Sequence, residues 1–122
     1  MHRVIASENI AASISAAQAE VFPLERNFAR DEIAMSGSLD RLDAARRTLR
    51  TARQTRQGSR LLYRSREAAA MLVTARWVYA SALERRETRG IHRRRDFPAL
   101  DQAPPQRLEV RGLDSITVKQ AP

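Results

Sequence analysis

From Ser65 to Arg89 the chain runs without a single glycine or proline, and this stretch limits the possible folds more than any other. Ala68, Met71, Leu72, Ala75, Val78, Tyr79, Ala82 and Leu83 recur at the spacing that places them on one helical face. Ala69, Ala70, Val73, Trp77 and Ala80 fill much of the other side. A helix apolar nearly all round is usually buried on more than one side. It is therefore expected at the centre of a three-helix unit, with part of its surface facing a partner absent from this chain. Exposed alanines need no such partner, since they present little area and favour helix. Val73 and Trp77 favour one, because large apolar surfaces gain ~25 cal/mol per Å² on burial.

Two further helices precede it. Ile10, Ile14, Ala17 and Val21 mark the first, expected from Ser7 to Val21, with Ser7 as cap and Glu8 in the first turn. Pro23 pushes Phe22 towards extended geometry and ends that helix, leaving 22–31 as a connector. Ser36 and Gly37 supply cap and break for the second helix, expected over 38–57 with a narrow stripe of Leu39, Leu42, Ala45, Leu49 and Ala52. Gln57, Gly58 and Ser59 then separate it from the third, over 65–89. Beyond Pro98, Pro104 and Pro105 mark a loop. Leu108, Val110, Ile116 and Val118 alternate around Gly112 and Asp114 as a weak hairpin signal. The expected fold is all-α: a three-helix bundle over 1–98, up-down-up like a spectrin repeat, with a loop and short β tail over 99–122.

The length of 122 residues bounds function as well as fold, being enough for one modest core and too short to add a dinucleotide-binding domain. None of the four glycines falls in a G-x-G-x-x-G loop, so the chain is not expected to bind FAD by itself. The absence of cysteine excludes disulfides, thiol catalysis and cysteine metal sites. His2 and His92 are far apart in sequence, so no metal site is expected. No segment has the length of a membrane span and the N-terminus lacks a signal-peptide pattern, which makes the cytoplasm the expected location. The formal charge is +8, and between Arg41 and Arg95 there are 16 arginines against Asp43, Glu67, Glu84 and Glu87. Such a field attracts phosphate backbones, so a small basic helical nucleic-acid-binding protein is the alternative function. Against it, the few aromatic residues are scattered and do not interleave with the basic run.

The densest cluster of chemistry-bearing residues follows the third helix. Gly90 suits the left-handed conformation that closes a helix, and Arg85, Arg86 and Arg89 would sit in its last turn, at the negative dipole end. Capping leaves His92, Arg94 and Asp96 unexplained: at alternate positions of an extended chain they point the same way. A catalytic trio with histidine as proton carrier is one use of that arrangement, but no nucleophile, metal or pocket accompanies it. An ion-pair lattice is favoured, in which Glu87 and Asp96 accept from Arg89, Arg94 and neighbouring arginines and fix the exit of the chain across a domain interface.

Glu87, Thr88, Arg89, Gly90, His92, Arg94, Asp96, Phe97 and Pro98 together resemble the E-S/T-R-G-x-H-x-R-x-D-[FY]-P signature in the C-terminal helical domain of the succinate dehydrogenase, fumarate reductase and L-aspartate oxidase flavoproteins. Upstream, Pro23, Asn27, Arg30 and Asp31 are similar to the family's P-x-x-x-N-x-x-R-[DS] connector, and Leu39, Leu42 and Asp43 to its L-x-x-L-D helix. The run from Arg66 to Leu72 and Ala75-Arg76-Trp77 look like its third helix. The resemblance implies a piece of an FAD-dependent oxidoreductase that packs against a flavin-binding domain or subunit, with hydride transfer between a dicarboxylate-like substrate and the flavin as the parent reaction. Family substrate-binding and proton-delivering residues lie outside the matching regions, so none is assigned here and activity of this chain alone is not expected. Glu87, Arg89, Gly90, His92, Arg94, Asp96 and Pro98 are the candidate interface residues. A homo-oligomer formed through the third helix is the other expected partner.

Overall fold

A computed structural model describes residues 1–53 and 58–122. Helices α1 (His2–Val21), α3 (Glu32–Arg53) and α4 (Ser59–Glu84) form the bundle, and the four-residue α2 (Leu24–Asn27) lies in the connector. Strands β1 (Leu108–Arg111) and β2 (Thr117–Gln120) make an antiparallel hairpin with Val110 opposite Val118.

Each long helix buries a seam that alternates steps of three and four residues. It runs Ala6, Ile10, Ser13, Ala17, Glu20 in α1, Met35, Ser38, Leu42, Leu49, Ala52 in α3, and Leu61, Ser65, Ala68, Leu72, Ala75, Tyr79, Ala82 in α4. In α3 the half-buried Ala45 bridges Leu42 and Leu49. That spacing is the coiled-coil repeat, which keeps each seam facing its neighbours along the whole bundle. Hydrogen bonds give the directions. Glu20 meets Ser38 while Ser13 meets Ala45, so α1 and α3 are antiparallel. Glu20 also meets Tyr79, at the corresponding end of α4, and Arg76 meets Asp43. The bundle is therefore up-down-up, as expected.

The helix boundaries differ from expectation. Helix α1 begins five residues before Ser7, and the added turn carries Ala6 into the core. Helix α3 begins at Glu32, so Ser36 and Gly37 lie inside it. Its cap is Asp31, whose Oδ1 accepts from Ala34 N at 2.8 Å. Gly37 does not break the helix; a Cβ there would lie 3.3 Å from the Arg41 guanidinium, so the bare backbone leaves room for that side chain on its way to Glu20. The end expected at Gln57 lies outside the described residues. Helix α4 starts at Ser59, six residues early, which brings Leu61 into the core. It stops at Glu84, five residues short of Arg89, with Arg85 already extended.

On the Arg76–Trp77 side, α4 is covered by the chain's own tail and not by an outside partner, whereas Ala70 and Val78 stay exposed. Trp77 donates its indole N–H to Gly112 O at 2.8 Å, and the buried Arg76 reaches Leu113 O as well as Asp43. Asp114, in the same turn, pairs with Arg46 and Arg50 of α3. Gly112 holds φ +104, and a Cβ there would meet Ser115 O at 1.9 Å. Gly112→Ala is expected to cost about 1–3 kcal/mol. Because the turn releases the indole, a red shift of Trp77 emission should accompany the loss in denaturation; an unshifted spectrum with full stability would refute the anchoring.

Candidate functional site

The signature segment and the connector, separated by about sixty residues of sequence, lie side by side at one end of the bundle. Arg30 N donates to Arg93 O at 2.8 Å and Arg95 N donates to Arg30 O at 2.7 Å, a short parallel bridge. Glu32 N, at the start of α3, donates to Asp96 Oδ2 at 3.0 Å. Asn27 seals the other connection: its Nδ2 lies 3.0, 2.9 and 3.1 Å from the carbonyl oxygens of Glu20, Val21 and Pro23, and its Oδ1 is 3.0 Å from the Tyr79 hydroxyl. These bonds satisfy the orphan carbonyls at the end of α1.

Arg94 is the centre of the segment and is 2% exposed. Its guanidinium pairs with Asp96 in a fork, Nε to Oδ1 at 2.8 Å and Nη2 to Oδ2 at 2.6 Å. The remaining amine, Nη1, lies 3.1, 3.0 and 3.3 Å from the carbonyl oxygens of Ala82, Leu83 and Arg85. A cation thus closes α4 at its negative end. This removes the need for a glycine cap and explains why α4 ends before Gly90. The hydrogen bond from Arg94 holds the Asp96 carboxyl at about 2.

Gly90 keeps its left-handed conformation (φ +57) in a different role. Arg89 and His92 exchange backbone bonds of 2.8 and 3.0 Å, so Gly90 and Ile91 form the two-residue loop of a tight hairpin turn. Nothing lies within 4 Å of a Cβ at Gly90, so Gly90→Ala costs only the backbone term, about 1–2 kcal/mol by denaturation. A neutral result would mean that the turn relaxes.

Glu87 is the second hub. Oε1 accepts from Arg89 Nε at 3.0 Å and from Arg85 Nη1 at 3.2 Å, while Oε2 accepts from Asp101 N at 3.0 Å. The bond from Arg89 outweighs burial and lowers its pKa to about 2. Arg85, Arg86 and Arg89 therefore lie beyond the helix they were expected to cap. Thr88 Oγ1 accepts from Arg94 N at 3.0 Å and donates to Phe97 O at 2.9 Å. His92 Nε2 is 3.0 Å from Arg85 O, a carbonyl it shares with Arg94. Burial, and the positive charges of Arg30, Arg94 and Arg85, lower the His92 pKa, leaving it a neutral donor near pH 7.

The expected ion pairs of Glu87 and Asp96 are thus present, and they run within the chain. His92, Arg94 and Asp96 do turn to one side, towards the ends of α4 and α3. Pro98 has no polar partner among the described residues. Among the described residues no group of three or more His, Cys, Asp or Glu side chains could hold a metal. No helix among them is long and apolar enough to cross a membrane.

The sequence profile described as fumarate reductase flavoprotein C-term matches residues 25–112, well over half of the chain. The chain belongs to that family. No curated protein and no solved structure was matched. The match takes in both the connector from Glu25 and the signature segment, the two stretches that meet at the Arg30–Arg94 bridge. It is a C-terminal helical domain of the succinate dehydrogenase and fumarate reductase type.

One hub of this flavoprotein domain went unrecognised in the sequence. Glu20, 4% exposed at the end of α1, accepts from Ser38 at 2.7 Å, Arg26 at 2.6 Å and Arg41 at 2.5 Å. Burial alone would raise its pKa; the bonds from Arg41 and Ser38 and the charges of Arg41 and Arg26 outweigh that and hold it at about 2. A carboxylate one turn before a proline-terminated helix end, followed by Arg26, was the available signal.

Proposed function

We propose that this chain packs against the flavin-binding body of an FAD-dependent oxidoreductase and has no catalytic role of its own. The observation that carries this proposal is the use of the signature residues. Arg94 and Asp96 are spent on closing α4 and starting α3, and Glu87 and Thr88 on bracing the segment itself, which leaves the Gly90 turn standing outward on a braced base. Ile91 at its tip is 99% exposed. A side chain of that size held open on a braced turn fits a docking contact better than a reaction centre.

FAD would belong to the partner body in this proposal, because the residues here do not fit a dinucleotide. Gly37 lies inside α3, Gly90 and Gly112 shape turns, and no described strand runs into a glycine loop at a helix start. The proposed location is the cytoplasm. The basic charge weighs less towards nucleic acid than composition alone implied, since Arg26, Arg41, Arg46, Arg50, Arg76, Arg85, Arg89 and Arg94 all face carboxylates.

The test is to express the chain with a fumarate reductase flavin-binding body stripped of its own helical domain. Co-elution of the chain with the yellow protein is expected. Two separate peaks, or tight DNA binding that falls steeply with salt, would favour the basic-protein alternative. In the same run a dimer of the isolated chain would favour self-association, for which the apolar groove between α1 and α4, lined by Val21, Met71 and Val78, is the available surface.

A further inference from the structure

Beside the Gly90 turn lies a cleft of about 520 Å³ whose walls include Leu24, Phe28, Ile91, Arg30, His92 and Arg93. Its chemistry is lopsided. Leu24, Phe28 and Ile91 are exposed at 71%, 59% and 99%, while no acidic residue lines the cleft.

Arg85, Arg89 and Arg94 each hold a carboxylate, whereas the two arginines in this cleft do not. Among the described residues neither Arg30 nor Arg93 has an ion-pair partner, and Arg30 Nε is buried without any hydrogen bond. What the cleft offers an incoming group is therefore the uncompensated positive charge of two guanidiniums, which a carboxylate would neutralise. Arg93 lies over the Phe28 ring at 5.2 Å, so that aromatic face is taken and is not open to a stacked base. His92 Nε2 is tied to Arg85 O at 3.0 Å, within the chain.

We propose that this cleft is the docking pocket for an acidic loop of the flavin-binding body: a carboxylate between apolar side chains, the carboxylate on Arg30 and Arg93 and the apolar groups on Leu24, Phe28 and Ile91. The proposal rests on the packing role given above and names the face and the chemistry of the contact. Charge complementarity selects the occupant. An apolar loop would bury two uncompensated guanidinium charges, and a basic one would add to them. An arginine fork accepts a carboxylate in two parallel bonds, which also sets the register of docking.

The experiment uses the full chain, fluorescently labelled, on an array of overlapping twelve-residue peptides covering the flavin-binding body of a fumarate reductase flavoprotein. The bound peptides should carry Asp or Glu beside apolar residues, and replacing that acid by its amide should weaken them about ten-fold or more, the scale of a lost charge-assisted contact. Arg30→Gln and Arg93→Gln should each weaken binding similarly while keeping the wild-type melting curve. If Arg30→Gln lowers the melt, Arg93→Gln alone decides. No bound peptide, bound peptides indifferent to the acid, or variants that bind unchanged would overturn the proposal. So would a homodimer that Arg30→Gln dissolves, or an oligonucleotide that protects the Gly90 turn in hydrogen exchange. Mixing with the intact flavin-binding body separates the two levels. A complex that survives both substitutions keeps the packing role and removes this pocket, whereas no complex at all removes the packing role.

Discussion

Arg94→Ala is expected to destabilise the chain by about 3–5 kcal/mol, the cost of removing one partner from a buried, hydrogen-bonded charge pair. Alanine would take the guanidinium from Asp96, leaving that carboxylate with Glu32 N as its remaining long-range partner. It would also strip the carbonyl oxygens of Ala82, Leu83 and Arg85 of the cation that closes α4. The buried position leaves little access for water to replace those bonds, so the loss extends beyond the pair itself. Arg94→Lys should recover only a minor part, because an ammonium cannot fork onto Asp96 and reach the helix end at once. Urea denaturation measures both, and hydrogen exchange localises the effect: amides in the last turn of α4 and the first of α3 should lose protection together. A loss under 1 kcal/mol, or a lysine variant as stable as wild type, would show that the fork carries no such weight.

Much of the bundle was legible in the sequence because its cores are built from apolar residues at helical spacing. Leu42, Leu49, Ala52, Leu72, Ala75 and Tyr79 are buried where the pattern placed them. In the first helix Ile10 and Ala17 are buried as expected, whereas Ile14 and Val21 flank the seam by one residue, because two of its five positions are Ser13 and Glu20. Hydrophobic periodicity cannot register a buried residue that is polar. Ends were harder to place than middles. Gly37 reads as a breaker, yet Asp31 had already started the helix, and the space Gly37 leaves is used by Arg41. The end of α4 is set from outside it, by a side chain ten residues downstream that only the fold brings back. The ion-pair partners in the signature segment were legible for a different reason: Glu87 with Arg89 and Arg94 with Asp96 are two residues apart, so an extended chain already puts them on one side. That Arg94 and Asp96 close and start helices of the same chain needed the Arg30 bridge to be seen.

Glu20→Gln is expected to remove about 3 kcal/mol of stability at neutral pH and almost none at pH 2. The carboxyl pKa falls from 4.5 to about 2 on folding, because its arginine and serine partners outweigh the cost of burial. A carboxyl depressed in the folded state stabilises it fully above its unfolded pKa. That contribution declines as pH drops below 4.5 and is gone once the folded group also protonates, near 2. At ~1.4 kcal/mol per unit the span amounts to about 3 kcal/mol. Asp96 and Glu87 are depressed too, from 3.8 and 4.5 respectively to about 2, so acid should weaken the whole chain through this window. Glutamine keeps the size of the side chain and an acceptor for Ser38 but loses the charge that holds Arg26 and Arg41. Those arginines, 45% and 53% exposed, can return to water, which limits the loss and makes it milder than that of Arg94. Denaturation midpoints of wild type and variant measured from pH 7 to pH 2 should therefore converge. Curves that stay parallel would mean that Glu20 is held by packing and not by its charge.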